Sequence, residues 1–355
     1  MTLSVMHADG AVLGELAGRP VALRYTAVES EYAALRGGAM LVDRSHRARM
    51  SLHGEGRAET LTGLVTNDVA ALAAGYGQYA AALTPRGKII ADVRILARDD
   101  DLLVDVPARA APGWLAMVRK YVNPRATRYV DETDALGDIG VFGERAREIV
   151  GAVTGIDAEV LASLVPYAHT KASCDDLELT VARAPDIAVE GYELFVPAEG
   201  LVRVWRRATQ LGATPAGLDA WEIARIEAGR PEWGIDIDES TIPQEANLDD
   251  LHAISYTKGC YTGQETVARV HFRGHVNRHL RGLSHPGFAA LPRGAQLLDS
   301  QDKVVGDVRS SSVSPRLGGI ALAMVRREVT PGSALRAQWD DGQAAVTVLS
   351  LPFPA

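Results

Sequence analysis

Reactive residue types are densest in the run Tyr256-Thr257-Lys258-Gly259-Cys260-Tyr261-Thr262-Gly263-Gln264-Glu265. Gly259 and Gly263, four residues apart, let the backbone bend and approach a neighbour closely. Lys258, two residues from Cys260, favours the thiolate form of a nearby thiol. The run reads as an exposed loop leading into a helix over residues 266–270, with Glu265 as a first-turn carboxylate. The bland alternative is a buried, inert cysteine in a loop-to-helix connection. Downstream, Arg269, Arg273, Arg278 and Arg281 fall in a stretch from Thr266 to Leu298 with no acidic residue. That stretch is either a local positive field for an anionic tail or partner, or a solvated face. His271, His275 and His279 recur every fourth residue, yet Gly274 interrupts the helix that a metal stripe requires. They read as a surface set, and no permanently bound metal is expected.

The elements that position this loop follow from hydrophobic periodicity. MSLHG reads as a strand, RAETLTGLV as a helix, and QYAAALT, KIIADVRIL and LLVDVPA as three strands. PGWLAMVRKYV gives a second helix and ATRYVDET a closing strand, so the segment is an α+β unit of split βαβ type. Pro85-Arg86-Gly87-Lys88 punctuates a hairpin between two of these strands. A further α+β unit follows, through IGVFG, the helix ERAREIVGAVTG, the strands DLELTVARA and YELFVPA, and the helix LVRVWRRATQLG. LDAWEIARIEAG is amphipathic and stops at Gly229 and Pro231, as helices do. From Leu280 to Phe353 short apolar strands alternate with Pro, Gly, Asp and Ser, the pattern of a small β-barrel or sandwich.

Composition narrows the function classes. The 355 residues carry 37 Lys and Arg against 45 Asp and Glu, a formal charge of -8, with 47% hydrophobic residues. That mild acidity argues against direct nucleic-acid binding, and the hydrophobic fraction argues for two or three packed domains. Two cysteines, Cys174 and Cys260, cannot build a disulfide framework or the usual ligand set of an iron–sulfur cluster within one chain. No phosphate-binding GxxxxGK, HExxH or GxSxG signature occurs. No run approaches the roughly 18 apolar residues of a membrane span, and the N-terminus shows no secretion signal, so a cytoplasmic location is expected.

KGCYTGQE (Lys258–Glu265) resembles the K-G-C-Y-x-G-Q-E motif of the YgfZ family, folate-binding proteins that support iron–sulfur enzymes and tRNA modification. IPQEANLDDL before it and ETVARVHFRG after it extend the likeness. That family is a branch of the fold of the glycine-cleavage T-protein, an aminomethyltransferase. LVDRSHRARMSLHG, LVTNDVAAL, LTPRGKIIADVRIL, EGYELFVP, ARIEAGRPEWGIDID and SPRLGGIALAMV are similar to T-protein segments. The resemblance implies an α+β chain of three domains in a ring around a reduced folate. It also implies boundaries: a folate-binding α+β domain over 1–47 and 136–250, a ferredoxin-like α+β domain over 48–135, a connecting segment with the KGCYTGQE loop over 251–279, and a β-barrel over 280–355.

The same resemblance carries site residues. T-protein has two adjacent carboxylates where this chain has Ala91-Asp92, which leaves Asp92 for the acid/base role at the folate amines. Glu193 matches the glutamate that grips the pterin edge, where two carboxylate oxygens suit adjacent N–H donors. Trp221 stands where T-protein has an arginine, and either stacks on the ligand or fills the core. Arg225, one turn further along the helix, completes the expected cofactor-binding set with Asp92, Glu193 and Trp221. Cys260 is the expected essential thiol, with Lys258, Gly259, Tyr261, Gly263, Gln264 and Glu265 shaping its loop. The leading expectation is a tetrahydrofolate-binding auxiliary protein whose partners are iron–sulfur enzymes or cluster-assembly proteins. The alternative is a tetrahydrofolate-dependent aminomethyltransferase, disfavoured at this point by Ala91 and Trp221.

Overall fold

The computed structural model describes residues 10–287 and 289–354. The first nine residues of the N-terminus read for a secretion signal lie outside the described residues. The chain opens with a hairpin of β1 (Val12–Leu16) and β2 (Arg19–Arg24), a short helix α1 (Val28–Ala33) and strand β3 (Met40–Asp43). It then builds β4 (Ala48–His53), α2 (Arg57–Leu64), β5 (Gly77–Leu83), β6 (Ile89–Ala97), β7 (Asp101–Val106), α3 (Ala111–Tyr121) and β8 (Arg128–Asp131). These strands form one antiparallel sheet in the order β5-β6-β7-β4-β8.

The chain next returns alongside β3. It adds β9 (Leu136–Phe142), α4 (Ala146–Thr154), α5 (Ala158–Ser163), β10 (His169–Cys174), β11 (Leu177–Arg183), β12 (Gly191–Pro197), α6 (Leu201–Gln210), β13 (Thr214–Ala216) and α7 (Leu218–Glu227). The second sheet runs β10-β11-β12-β9-β3-β13, with β13 parallel to β3 and the other pairs antiparallel. An irregular stretch leads to α8 (Gln264–Arg273), then to β14 (Arg278–His285), β15 (Gln296–Leu298), β16 (Val304–Ser314), β17 (Gly318–Arg326), β18 (Ala334–Trp339) and β19 (Gly342–Leu349). These last six strands close into a barrel in which β14 pairs with both β17 and β19. The two α+β units and the β-rich tail are those expected from the chain's patterning, and the tail closes as the barrel that the resemblance implies.

Why β5 and β6 read as nearly continuous apolar runs is visible in the packing. Their alternate residues Ala80, Ala82, Ala91, Val93 and Ile95 pack with Leu61 of α2 and Trp114 of α3. The opposite set, Tyr79, Ala81, Leu83 and Ile89, packs with Tyr167, Phe195, Ile237, Ala246 and Tyr261. Strands covered on both faces lose the polar alternation of a half-exposed sheet. Each fully buried Leu, Ile or Val contributes about 1.5–3 kcal/mol relative to exposure. Asp92 and Arg94 lie on the second of these faces, in the middle of that apolar run, and both are buried.

The barrel is seated on α7. Ile226 packs among Leu280, Ile320, Leu322, Met324 and Phe353. Glu227 beside it accepts from Tyr32 Oη at 2.8 Å and from Ser314 Oγ at 2.5 Å, which joins α1, α7 and β16.

Candidate functional site

Asp92 of β6 and Tyr79 of β5 are cross-strand neighbours, since Tyr79 pairs with Arg94 and Ala81 with Asp92 in the ladder. Tyr79 Oη donates to Asp92 Oδ2 at 2.8 Å. Asp92 Oδ1 is buried and has no hydrogen-bond partner on another residue. Burial raises the Asp92 pKa above the ordinary carboxylate value, against the pull of Arg47 and the Tyr79 hydrogen bond. Burial, followed by the Asp92 charge, holds the Tyr79 hydroxyl well above its own ordinary value.

Around this pair runs a buried ionic network whose members come from distant parts of the chain. Arg94 Nε donates to Asp105 at 2.9 Å, and one of its terminal nitrogens reaches both Asp186 at 3.1 Å and Glu193. Arg47 Nε donates to Asp105 at 2.6 Å. Arg230 donates to Tyr167 Oη at 2.5 Å and to Asp186 at 3.0 Å, and its guanidinium lies 4.9 Å above the Tyr79 ring. Although burial opposes it, the charges of Arg94, Arg44 and Arg230 hold Asp186 well below the usual carboxylate range. Asp138 behaves in the opposite way. Burial and the nearby Glu193 charge raise it to about 8, with the nearest Arg94 nitrogen 3.6 Å away.

Each carboxylate of such a network carries a desolvation cost of several kcal/mol that only good pairing repays. Asp138 has neither oxygen hydrogen-bonded; Asp92, with one oxygen unpartnered, is the one of the two at a cavity wall. A cavity of about 40 Å³ opens beside it, lined by Arg44, Tyr79, Asp92, Trp221, Arg230 and Glu232 among others. A second cavity of about 220 Å³ lies against it, and Arg44, Arg47, Trp221 and Glu232 line both.

The remaining expected site residues fall as follows. Glu193 of β12 is buried, and each of its two oxygens faces an arginine: Oε1 lies 2.6 Å from Arg44, and Oε2 pairs with Arg94. Trp221 fills core: its ring packs on Phe142 with centroids 4.9 Å apart, and the Arg44 guanidinium lies over it at 4.2 Å. Arg225 is buried with its donors committed to Glu222, to Asp236 at 2.7 Å and to the Arg230 carbonyl.

The KGCYTGQE loop is built by packing. Gly263 has φ +84, and a Cβ there would stand 2.6 Å from the Thr84 carbonyl oxygen. A Cβ on Gly87 would stand 2.6 Å from Thr266, so the Pro85–Lys88 turn and the loop meet with nothing between them. Tyr261 is buried in the core shared by both sheets. Lys258 Nζ donates to the carbonyls of Thr62 and Val65 at the end of α2, the second at 2.7 Å, and lies 4.4 Å above the Tyr261 ring. A cation satisfying the last carbonyls of a helix is a favourable cap. Burial pulls the Lys258 pKa down to about 8. The expectation that Lys258 serves the thiol is therefore corrected: its ammonium is engaged by helix-end carbonyls. Gln264 and Glu265 begin α8, and Gly259 meets no heavy atom within 4 Å of a built Cβ. Cys260 is exposed and is not among the residues lining the cavity at Asp92.

Arg44, Arg47, Tyr79, Arg94, Asp186 and Arg230 were not legible as site residues beforehand. One signal for them existed: Asp92 and Arg94, two apart in a strand buried on both faces, must share a face and demand partners.

Residues 2–255 match the GCVT N-terminal domain and residues 278–354 the glycine cleavage T-protein C-terminal barrel domain. The chain belongs to the glycine cleavage T-protein family. Among similar curated proteins, an aminomethyltransferase of Halothermothrix orenii is 31% identical over 352 residues, 97% of this chain and 96% of that protein. An aminomethyltransferase of Nostoc sp. is 29% identical over 96% of this chain and 91% of its own length. The crystal structure of glycine cleavage system aminomethyltransferase T from Bartonella henselae superposes with a TM-score of 0.90, covering 100% of this chain and 97% of that one at 22% identity.

These relatives overturn the leading expectation. An iron–sulfur and tRNA-modification auxiliary of YgfZ type, with iron–sulfur partners and the aminomethyltransferase reading disfavoured, finds no support among near-full-length relatives named aminomethyltransferase. Within the motif that suggested it, Gly263, Tyr261 and Lys258 are explained by the backbone contact, the core position and the helix-end cap, while Cys260 is exposed and Gly259 meets open space. Among the described residues, no helix is long and apolar enough to cross a membrane.

Proposed function

We propose that this protein is a tetrahydrofolate-dependent aminomethyltransferase of the glycine-cleavage T-protein type. The observation that carries this reading is Asp92, a buried carboxylate with an unpartnered oxygen and a raised pKa at the wall of a cavity. Such a group is poised for acid/base work at an amine nitrogen, because burial disfavours its charged form and leaves it ready to share a proton. The similar proteins named aminomethyltransferase support the same reaction class.

The residues present fit a reduced folate. An unpartnered carboxylate oxygen suits an N–H donor, the Trp221 ring suits a planar heterocycle, and Glu193 suits the paired donors of an aminopyrimidine. When bound, tetrahydrofolate supplies the amines that accept the one-carbon unit. This chain's part is to bind and orient: Tyr79 fixes Asp92 through its hydrogen bond, and Asp92 holds or gives up a proton at the reacting amine. Arg47 and Arg230 supply positive charge near that carboxylate. Ala91, in place of a second carboxylate, leaves Asp92 as the acid/base group on this strand.

Anaerobic calorimetric titration with tetrahydrofolate tests the proposal. One equivalent bound per chain, weakened by Glu193→Gln, supports it; no heat of binding in the wild type contradicts it.

A further inference from the structure

The Arg44 guanidinium is held in an unusual place for a structural arginine. It lies over the Trp221 ring, 4.2 Å from the centroid, and one of its nitrogens stands 2.6 Å from Glu193 Oε1 and 2.7 Å from Asp186 Oδ2. It is a planar group with a fork of N–H donors, stacked on an aromatic face and paired with carboxylates. Neither carboxylate depends on Arg44 alone, since Arg94 pairs with both Asp186 and Glu193, and Arg230 also pairs with Asp186.

The same side chain lines both cavities, the inner one of about 40 Å³ at Asp92 and the outer one of about 220 Å³. The inner space alone is far below the roughly 300 Å³ of an ordinary ligand site, and the two joined approach it.

The geometry points to Arg44 as an internal stand-in for the ligand: its guanidinium occupies the place of a planar heterocycle with a guanidine-like N–H edge, and binding requires it to swing out. This inference rests on the folate reading and deepens it, because the 2-amino-4-oxopyrimidine edge of a pterin has the same fork of donors in the same plane. Arg44 is a gating residue here, and the affinity measured for the wild type is the intrinsic affinity reduced by the fraction of molecules with Arg44 displaced. With the open form a minor state of about 1–10%, removing the arginine tightens binding by about 10- to 100-fold.

The test is calorimetric titration of the full chain with tetrahydrofolate, comparing wild type, Arg44→Ala and Arg44→Gln, the last a shorter, neutral donor that keeps a polar group beside the carboxylates. Thermal melting establishes that each variant is folded. Binding at least tenfold tighter in the folded variants supports the stand-in, an outcome that mere structural damage does not produce. A second readout is competition: millimolar methylguanidine weakens tetrahydrofolate binding to Arg44→Ala and leaves the wild type unchanged. Equal or weaker binding by the variants, with the wild type binding, overturns the stand-in and leaves the folate reading intact. Absence of binding by every form overturns the folate reading and the stand-in with it.

Discussion

Replacing Asp92 by Asn separates activity from stability, because the two respond with opposite signs. Asn keeps the size of the side chain and can still accept from Tyr79 Oη through its amide oxygen, now made at 2.8 Å to Asp92 Oδ2. It also removes a buried charge whose second oxygen has no partner. The pKa of Asp92 is raised in the folded state, so its favourable contribution is complete below the unfolded-state value and is lost as pH rises through the folded-state value. Asn removes that loss. The variant is thus expected to be within about 1 kcal/mol of the wild type near neutral pH or more stable than it. The wild-type stability should fall relative to the variant as pH climbs above the ordinary carboxylate range. Activity should drop by about 10²–10⁴-fold, the usual worth of a positioned acid/base group, or about 3–5 kcal/mol of transition-state free energy. The assay is tetrahydrofolate-dependent ammonia release from an aminomethylated lipoyl carrier, with urea unfolding of the same preparations across pH. An Asn variant that retains activity within fivefold refutes the acid/base assignment. One that loses several kcal/mol of stability refutes the picture of an undercompensated carboxylate.

Other consequences of the geometry are open to measurement. Gly263→Ala places a Cβ 2.6 Å from the Thr84 carbonyl at φ +84, and should cost about 2 kcal/mol or more by denaturant unfolding. Gly259→Ala, which meets open space, should stay within about 0.5 kcal/mol. Lys258→Met leaves the Thr62 and Val65 carbonyls at the end of α2 without their donor, and should lower the melting temperature. The folded-state pKa of Lys258 is depressed to about 8, so the wild type gains stability as pH rises from about 8 towards the usual lysine range. That gain should be missing from the Lys258→Met curve.

The sequence carried the elements better than it carried the site. The split α+β unit was legible because residues 78–84 and 88–96 are apolar runs of strand length separated by a Pro-Arg-Gly turn, and the β-rich tail because its short apolar strands alternate with Pro, Gly, Asp and Ser. The N-terminal hairpin β1–β2 was missed, since its exposed Val12 and Leu13 give no buried stripe to detect. At the site, Asp92 and Glu193 were reached through resemblance, but their partners were not. Arg44, Asp186 and Arg230 are separated by up to 186 residues yet converge, and nothing in local periodicity encodes a contact made by nesting one sheet inside another. The Cys260 loop drew the functional reading astray for the converse reason. A motif dense in Gly, Lys and Tyr was required by backbone contact, helix-end capping and core packing, and residue types alone do not distinguish that requirement from chemistry.

The most direct test of the account is the reaction itself: ammonia released by the purified wild-type chain from an aminomethylated lipoyl carrier, with and without tetrahydrofolate under anaerobic conditions. The account predicts turnover that requires both tetrahydrofolate and enzyme and is lost in Asp92→Asn. Release no faster than the uncatalysed rate at saturating folate would contradict it.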